Sequence, residues 1–139
     1  MKRLITTGGL VFAIACQTFA DDHTALARVT AYWPSKGSAK TAALNKARLH
    51  EGDCAVDPKK IPYGSKMKIG DGECVAKDTG PAVVNRKAAR SSGRNAAERN
   101  AIVIDRYFDS KERARAWAKS HPISCRCKFK HRKNKHDLI

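Results

Sequence analysis

Val75-Ala-Lys-Asp-Thr-Gly-Pro-Ala-Val83 is the stretch on which the fold turns. An apolar strand runs into Asp78, and Thr79-Gly80-Pro81 forces a turn before a second apolar run begins. Glycine tolerates positive φ and proline fixes its own. Gly80 precedes Pro81 and is therefore pushed towards extended geometry. The stretch predicts a carboxylate at a strand end, presented to a cleft by a tight loop. Two more aspartates stand in comparable settings, Asp57 in Cys54-Ala-Val-Asp-Pro58 and Asp105 in Ile102-Val-Ile-Asp-Arg-Tyr-Phe108. An Asp before Pro or Gly is commonly a turn former, and for Asp57 that plainer role competes with a chemical one.

Outward from this stretch the chain reads as short strands separated by turn chemistry. Leu26 to Trp33 alternates well enough for a first strand, ended by Pro34. Residues 35–48 have no strong period and read as a surface loop, with a helical turn at Ala42 to Ala47. Tyr32 and Thr41 are candidates to touch a ligand, against the plainer reading of a strand and a loop residue. Cys54 to Asp57 is a short strand stopped by Pro58. Lys66-Met-Lys-Ile69 alternates, and Gly70-Asp-Gly72 is a hairpin signal leading into Glu73 to Asp78. Together these predict a small barrel or sandwich.

Residues 85–100 differ. They carry Arg86, Lys87, Arg90, Arg94 and Arg99 and almost no large apolar side chain, so they read as an exposed basic insertion with at most a helical turn. Its cations are available to an anionic substrate or simply to water. Ala101 to Phe108 is the most apolar strand. Alternation puts Asp105 on one side with Val103 and Tyr107, opposite Ile102, Ile104 and Phe108. A helix follows from Asp109, with Glu112 in capping-box spacing and Trp117 in its apolar stripe as a core plug. Ile123 to Phe129 is a last strand with Ile123, Cys125, Cys127 and Phe129 on one face, before a basic tail from 130 to 139.

The chain has 139 residues and a formal net charge of +15. Lys2 and Arg3 precede an apolar run from Leu4 to Phe19 and then Ala20-Asp21, the pattern of a secretory signal peptide over 1–20. Cys16, in Ala13-Ile-Ala-Cys16, is the lesser alternative of a lipoprotein processing site. The run is too short, and too rich in Thr and Gly, for a stable membrane span. The rest is long enough for one compact domain. Strong basicity in an exported domain points to an anionic wall polymer or membrane surface, beside simple solubility. Nucleic acid fits the charge but not the export signal or the 6 % aromatic content. Four cysteines, Cys54, Cys74, Cys125 and Cys127, read as two disulfides of open connectivity, since a Cys125–Cys127 ring would be very small. A zinc site with His121, His131 or His136 is the rival. Three Asp oxygens are also a conceivable calcium or magnesium site, but further oxygen ligands are scarce near them.

Read together and in order, Ala55-Val-Asp-Pro58 with Ile61-Pro-Tyr-Gly-Ser65, Val75-Ala-Lys-Asp-Thr-Gly80 and Ile104-Asp-Arg-Tyr-Phe108 resemble the three-aspartate ("3D") domain. That family is a double-psi β-barrel related to the catalytic barrel of membrane-bound lytic transglycosylase A and to rare lipoprotein A. The resemblance covers residues 26–129. It implies a mainly β fold, a small six-stranded double-psi β-barrel with one or two short helices. It implies cleavage of the MurNAc–GlcNAc β-1,4 bond of peptidoglycan glycan strands by a secreted or periplasmic, wall-associated monomer that needs no cofactor and no metal. The sugar's own 6-hydroxyl attacks and leaves a 1,6-anhydro end. One carboxyl group then serves first as acid and later as base, where ordinary glycosidases need two. Such a group must stay protonated well above the usual Asp value of about 3.9, which burial and a like charge both favour. The resemblance assigns that acid to Asp105. Asp78 and Asp57 would orient it or contact sugar, and Thr79 and Gly80 would bind substrate with Tyr32 and Thr41. Pro81 stands where relatives often have a second glycine, and the 85–100 insertion is longer than the family pattern. A non-catalytic, expansin-like wall binder on the same barrel is the competing reading.

Overall fold

The computed structural model describes residues 22–36, 41–42, 45–70 and 72–130. Residues 1–20, expected to be a signal peptide, with Cys16, and tail residues 131–139 lie outside the described residues. Six strands form the body: β1 (Asp22–Tyr32), β2 (Asp53–Ala55), β3 (Lys66–Ile69), β4 (Gly72–Asp78), β5 (Ile102–Tyr107) and β6 (Ser124–Lys130). Their hydrogen bonds close into a ring in the order β1-β5-β2-β4-β3-β6. Closure leaves no unpaired sheet edge. β1 runs parallel to β5 and β2 parallel to β4; the β2–β5, β3–β4, β3–β6 and β1–β6 contacts are antiparallel. No helix among the described residues is long and apolar enough to cross a membrane.

Alternation along each strand sorts the side chains. In β3, Met67 and Ile69 are buried while Lys66 and Lys68 face water. Ala27 and Val29, Cys54, Met67 and Ile69, Cys74 and Ala76, Ile104, and Cys127 and Phe129 pack into one cluster. Every strand contributes to it, so this cluster is the barrel interior. The β3–β4 turn passes through Gly70 at φ +57, a conformation that glycine adopts without steric cost.

Among the described residues four helices pack against the ring: α1 (Pro81–Val84), α2 (Lys87–Ser92), α3 (Ala96–Asn100) and α4 (Lys111–Ser120). The expected one or two helices are thus exceeded, because residues 81–100 fold. They form a helical layer on the outer face of the barrel rather than a solvated loop. Val83, Ala89 and Ala101 are buried there against Ala55 and Val103, with Leu26, Tyr32 and Ala88 at the margin. Alanines do the sealing, which is why the stretch reads as having nothing to bury. α3 is capped by the Asn95 side chain, which accepts from the Glu98 N–H at 2.9 Å. In α4 the cap is Ser110, one residue later than the expected Asp109. Its hydroxyl accepts from the Arg113 N–H. Trp117 reaches from α4 onto the interior cluster, stacked on His121 and lying under the Arg106 guanidinium at 4.9 Å.

A candidate acid pair on the outer face of the barrel

β2 lies between β4 and β5, and its last residue joins two of the three aspartates. Ala55 stands opposite Asp78 on one side and opposite Asp105 on the other. The Asp78 register depends on one extra residue in β4: Cys54 pairs with Ala76 and Ala55 with Asp78, so Lys77 is left unpaired and Asp78 comes opposite Ala55, which alternation from Cys54 turns to the outer face. Ala55 presents only a methyl group between the two acids.

Asp105 sits on the outward side of β5, since Ile102 and Ile104 pack inside and Val103 packs under the helical layer. Its neighbour in β1 is Thr30, whose hydroxyl donates to Asp105 Oδ1 at 2.8 Å. Two residues on, Tyr32 shares that face, and its hydroxyl donates to Asp78 Oδ2 at 3.0 Å. Tyr32 is fixed by edge-on contact with Tyr107 at 5.5 Å and by Ala42 and Leu49, which close over both rings. Asp78 is only 2 % exposed. Asp105 is half-buried and, among the described residues, pairs with no lysine or arginine. Burial raises the Asp105 pKa above the ordinary carboxylate range. The Thr30 hydrogen bond opposes that rise, and the Asp78 charge adds to it. The Tyr32 phenol is held strongly neutral, first by burial and then by Asp78.

Asp57 takes a different place. It opens the turn after β2: its Oδ1 accepts from Lys59 N–H at 3.0 Å, and its carbonyl accepts from Lys60 and Ile61. Val56 N–H donates to the Asp78 carbonyl at 3.0 Å, so Asp57 follows directly on the residue that ties this turn to β4. No hydrogen bond among the described residues joins the Asp57 carboxylate to the other two. Thr79 Oγ1 is buried without a hydrogen-bond partner next to Asp78. Gly80 is extended, as Pro81 demands, and begins α1 through its carbonyl. Thr41 is exposed and bridges to Arg48, away from both carboxylates in the hydrogen-bond pattern. Asp53, a fourth acid, is buried and paired with Lys77 Nζ at 2.9 Å, a structural ion pair. The four cysteines among the described residues are free thiols in this structure. No group of three or more metal-ligating side chains occurs among the described residues.

A groove of about 660 Å³ opens beside the acid loop, lined by Pro81, Ala82, Asn85, Lys87, Arg90 and Ser91. Thr30, which hydrogen-bonds Asp105, also lines a smaller cavity of about 310 Å³ with Trp33, Trp117 and His121. Sequence reasoning passed over Thr30 and Ala55. The Thr30-x-Tyr32 spacing was the available signal, two hydroxyl residues on one face at the end of the first strand.

Tyr32→Phe isolates one link of this network. It keeps the ring packing but takes a donor from a buried carboxylate, at an expected cost of about 1–2 kcal/mol. Urea denaturation at neutral pH measures the loss; an unchanged midpoint would mean that the hydroxyl does not hold Asp78.

Comparison of the sequence with models of known protein families and with curated proteins finds no match to either.

Proposed function

We propose that the chain is a peptidoglycan lytic transglycosylase of the three-aspartate type, working outside the cytoplasm, with its ring of six strands a double-psi β-barrel. The observation that carries the reading is Asp105: an acid without a cationic partner among the described residues, half-buried beside the Asp78 charge and held in the protonated form to higher pH than usual. A protonated Asp105 carboxyl can give its proton to the glycosidic oxygen as the bond to C1 of the N-acetylmuramoyl ring breaks. The resulting carboxylate then takes the proton of that sugar's 6-hydroxyl as its oxygen closes onto C1. The proton balance is zero and no water is consumed. Thr30 orients the acid, and Tyr32 holds Asp78 in place to keep the proton on its neighbour. Asp57 shapes the adjoining turn.

Purified sacculi incubated with the full chain should release muropeptides with 1,6-anhydro ends, lighter by one water than the products of hydrolysis. Mass spectrometry distinguishes the two. Products carrying a reducing end would contradict the mechanism, and no products at all would favour a binding role.

That second reading has an observation of its own, the cationic rim of the groove between α1 and α2. A wall binder would hold stem-peptide carboxylates or another wall anion with Lys87 and Arg90. K87A/R90A should then weaken pelleting with insoluble peptidoglycan by roughly five-fold and flatten its dependence on salt. Unchanged pelleting would remove the groove from wall binding.

A further inference from the structure

We propose that Cys54 and Cys74 form a single disulfide tying β2 to β4, and that Cys125 and Cys127 remain thiols. Topology makes the choice. Of the four cysteines, only Cys54 and Cys74 stand on adjacent, hydrogen-bonded strands. Cys125 and Cys127 lie on β6, whose neighbours β1 and β3 contain no cysteine. β3 separates them from Cys74: Cys74 is opposite Met67, and Cys127 is opposite Ile69. Two strand spacings amount to about 9.6 Å. Nor can Cys125 and Cys127 join each other while β6 is extended. Residues two apart on a strand lie about 6.6 Å apart with parallel side chains, whereas a disulfide needs β-carbons within about 4.5 Å.

Cys54 leans the right way. It pairs with Ala76, so Cys74 is two residues back on the same inward face of β4, a diagonal of about 8 Å between α-carbons that must tighten by about 1 Å to close the bond. The Cys54 thiol donates to the Val75 carbonyl at 3.3 Å, which swings the sulfur back along β4 towards Cys74.

Both thiols are shut inside the barrel, Cys54 at 0 % and Cys74 at 1 % exposure, so oxidation belongs to the folding chain and the closed barrel then protects the bond. The oxidant is a small-molecule or protein disulfide. One cysteine thiolate attacks it and releases a thiol; the second thiolate attacks the mixed disulfide and releases another. Two protein thiols and one disulfide thereby become one protein disulfide and two thiols. The bond closes a loop of about twenty residues. Its existence is independent of what Asp105 does.

The test refolds the full chain in a mixture of reduced and oxidised glutathione, blocks free thiols with iodoacetamide under denaturant, and maps tryptic peptides without reduction. Cleavage after Arg126 separates Cys125 from Cys127, so these four cysteines, and Cys16 in Leu4–Arg28, fall in different peptides. The expected result links Leu49–Lys59 to Ile69–Lys77, with Cys125 and Cys127 both alkylated. C125S/C127S should retain the link in full, and either protein refolded in dithiothreitol instead of the glutathione mixture should show a Tm lower by about 10 °C. A link from Cys74 to β6, a Cys125–Cys127 bridge, or four alkylated cysteines would each overturn the assignment.

Discussion

Asp105→Asn should cut formation of 1,6-anhydro ends by at least about a hundred-fold, the usual worth of a positioned general acid, while making the protein more stable near neutral pH. Asn keeps the shape and still accepts the Thr30 hydrogen bond through its amide oxygen, but it carries no proton to give. The stability gain follows from the direction of the shift. Burial raises the Asp105 pKa above its unfolded value, so between the two values the folded chain binds more protons than the unfolded one. Stability therefore falls as pH rises from the ordinary carboxylate pKa to the raised one, and stays lower above it. Asn removes that cost, and the stability difference between variant and parent should vanish at low pH, where both side chains are neutral. Activity should fall on the alkaline side as Asp105 loses its proton. Glycan digestion and denaturation, each followed against pH, read the two halves separately. A variant that loses activity together with stability would mark Asp105 as a structural anion. A variant with full activity would take it out of the mechanism.

The position of Asp105 on its strand was legible because alternation is local: Ile102 and Ile104 face one way, Val103 and Tyr107 the other, and the folded chain keeps that division. The six short strands were legible for the same reason. What brings Asp78 beside Asp105 is not local. It depends on β2 entering the ring between β4 and β5 and on one extra residue in β4, Lys77, and neither leaves a periodic trace. The placement of the acids on the outer face had the same source. Their neighbourhood is completed by residues 81–100, whose burial is done by Val83, Ala89 and Ala101 under a surface of cations. Small side chains spread among arginines look solvated to any hydropathy argument, although a helix needs only one narrow stripe of them against a sheet. Asp57 shows the converse. Its turn chemistry was readable from Asp-Pro alone, and the hydrogen bond from Lys59 uses its carboxylate for that purpose.

Gly93→Ala should cost about 3 kcal/mol, because the corner between α2 and α3 is packed backbone against backbone. A methyl group at Gly93 would meet Arg99 N at 2.6 Å, Ala89 O at 2.7 Å and Arg99 Cγ at 2.8 Å. Two of these three are main-chain atoms that no rotamer change can move, and overpacking of this kind sits at the upper end of its usual cost. The backbone at Gly93 is ordinary, with φ −70 and ψ 128, so conformational preference contributes little and the loss is steric. Gly80→Ala is the control: the residue is extended and nothing lies within 4 Å of the added carbon, so its effect should stay within about 0.5 kcal/mol. If residues 85–100 were a solvated loop, the two substitutions would be equally harmless. Hydrogen exchange resolves the difference, since Gly93→Ala should raise exchange across 81–100 before it touches the barrel strands. The consequence reaches the acid pair. Val83 and Ala89 lie in one cluster with Ala55, the residue between Asp78 and Asp105, and with Val103 on the Asp105 face. Loosening the layer lets water reach Asp105, which weakens the desolvation that raises its pKa. The alkaline limb of the activity profile should then move to lower pH in Gly93→Ala and stay in place in Gly80→Ala. An unshifted limb with the layer demonstrably open would show that the helices do not set the protonation of Asp105.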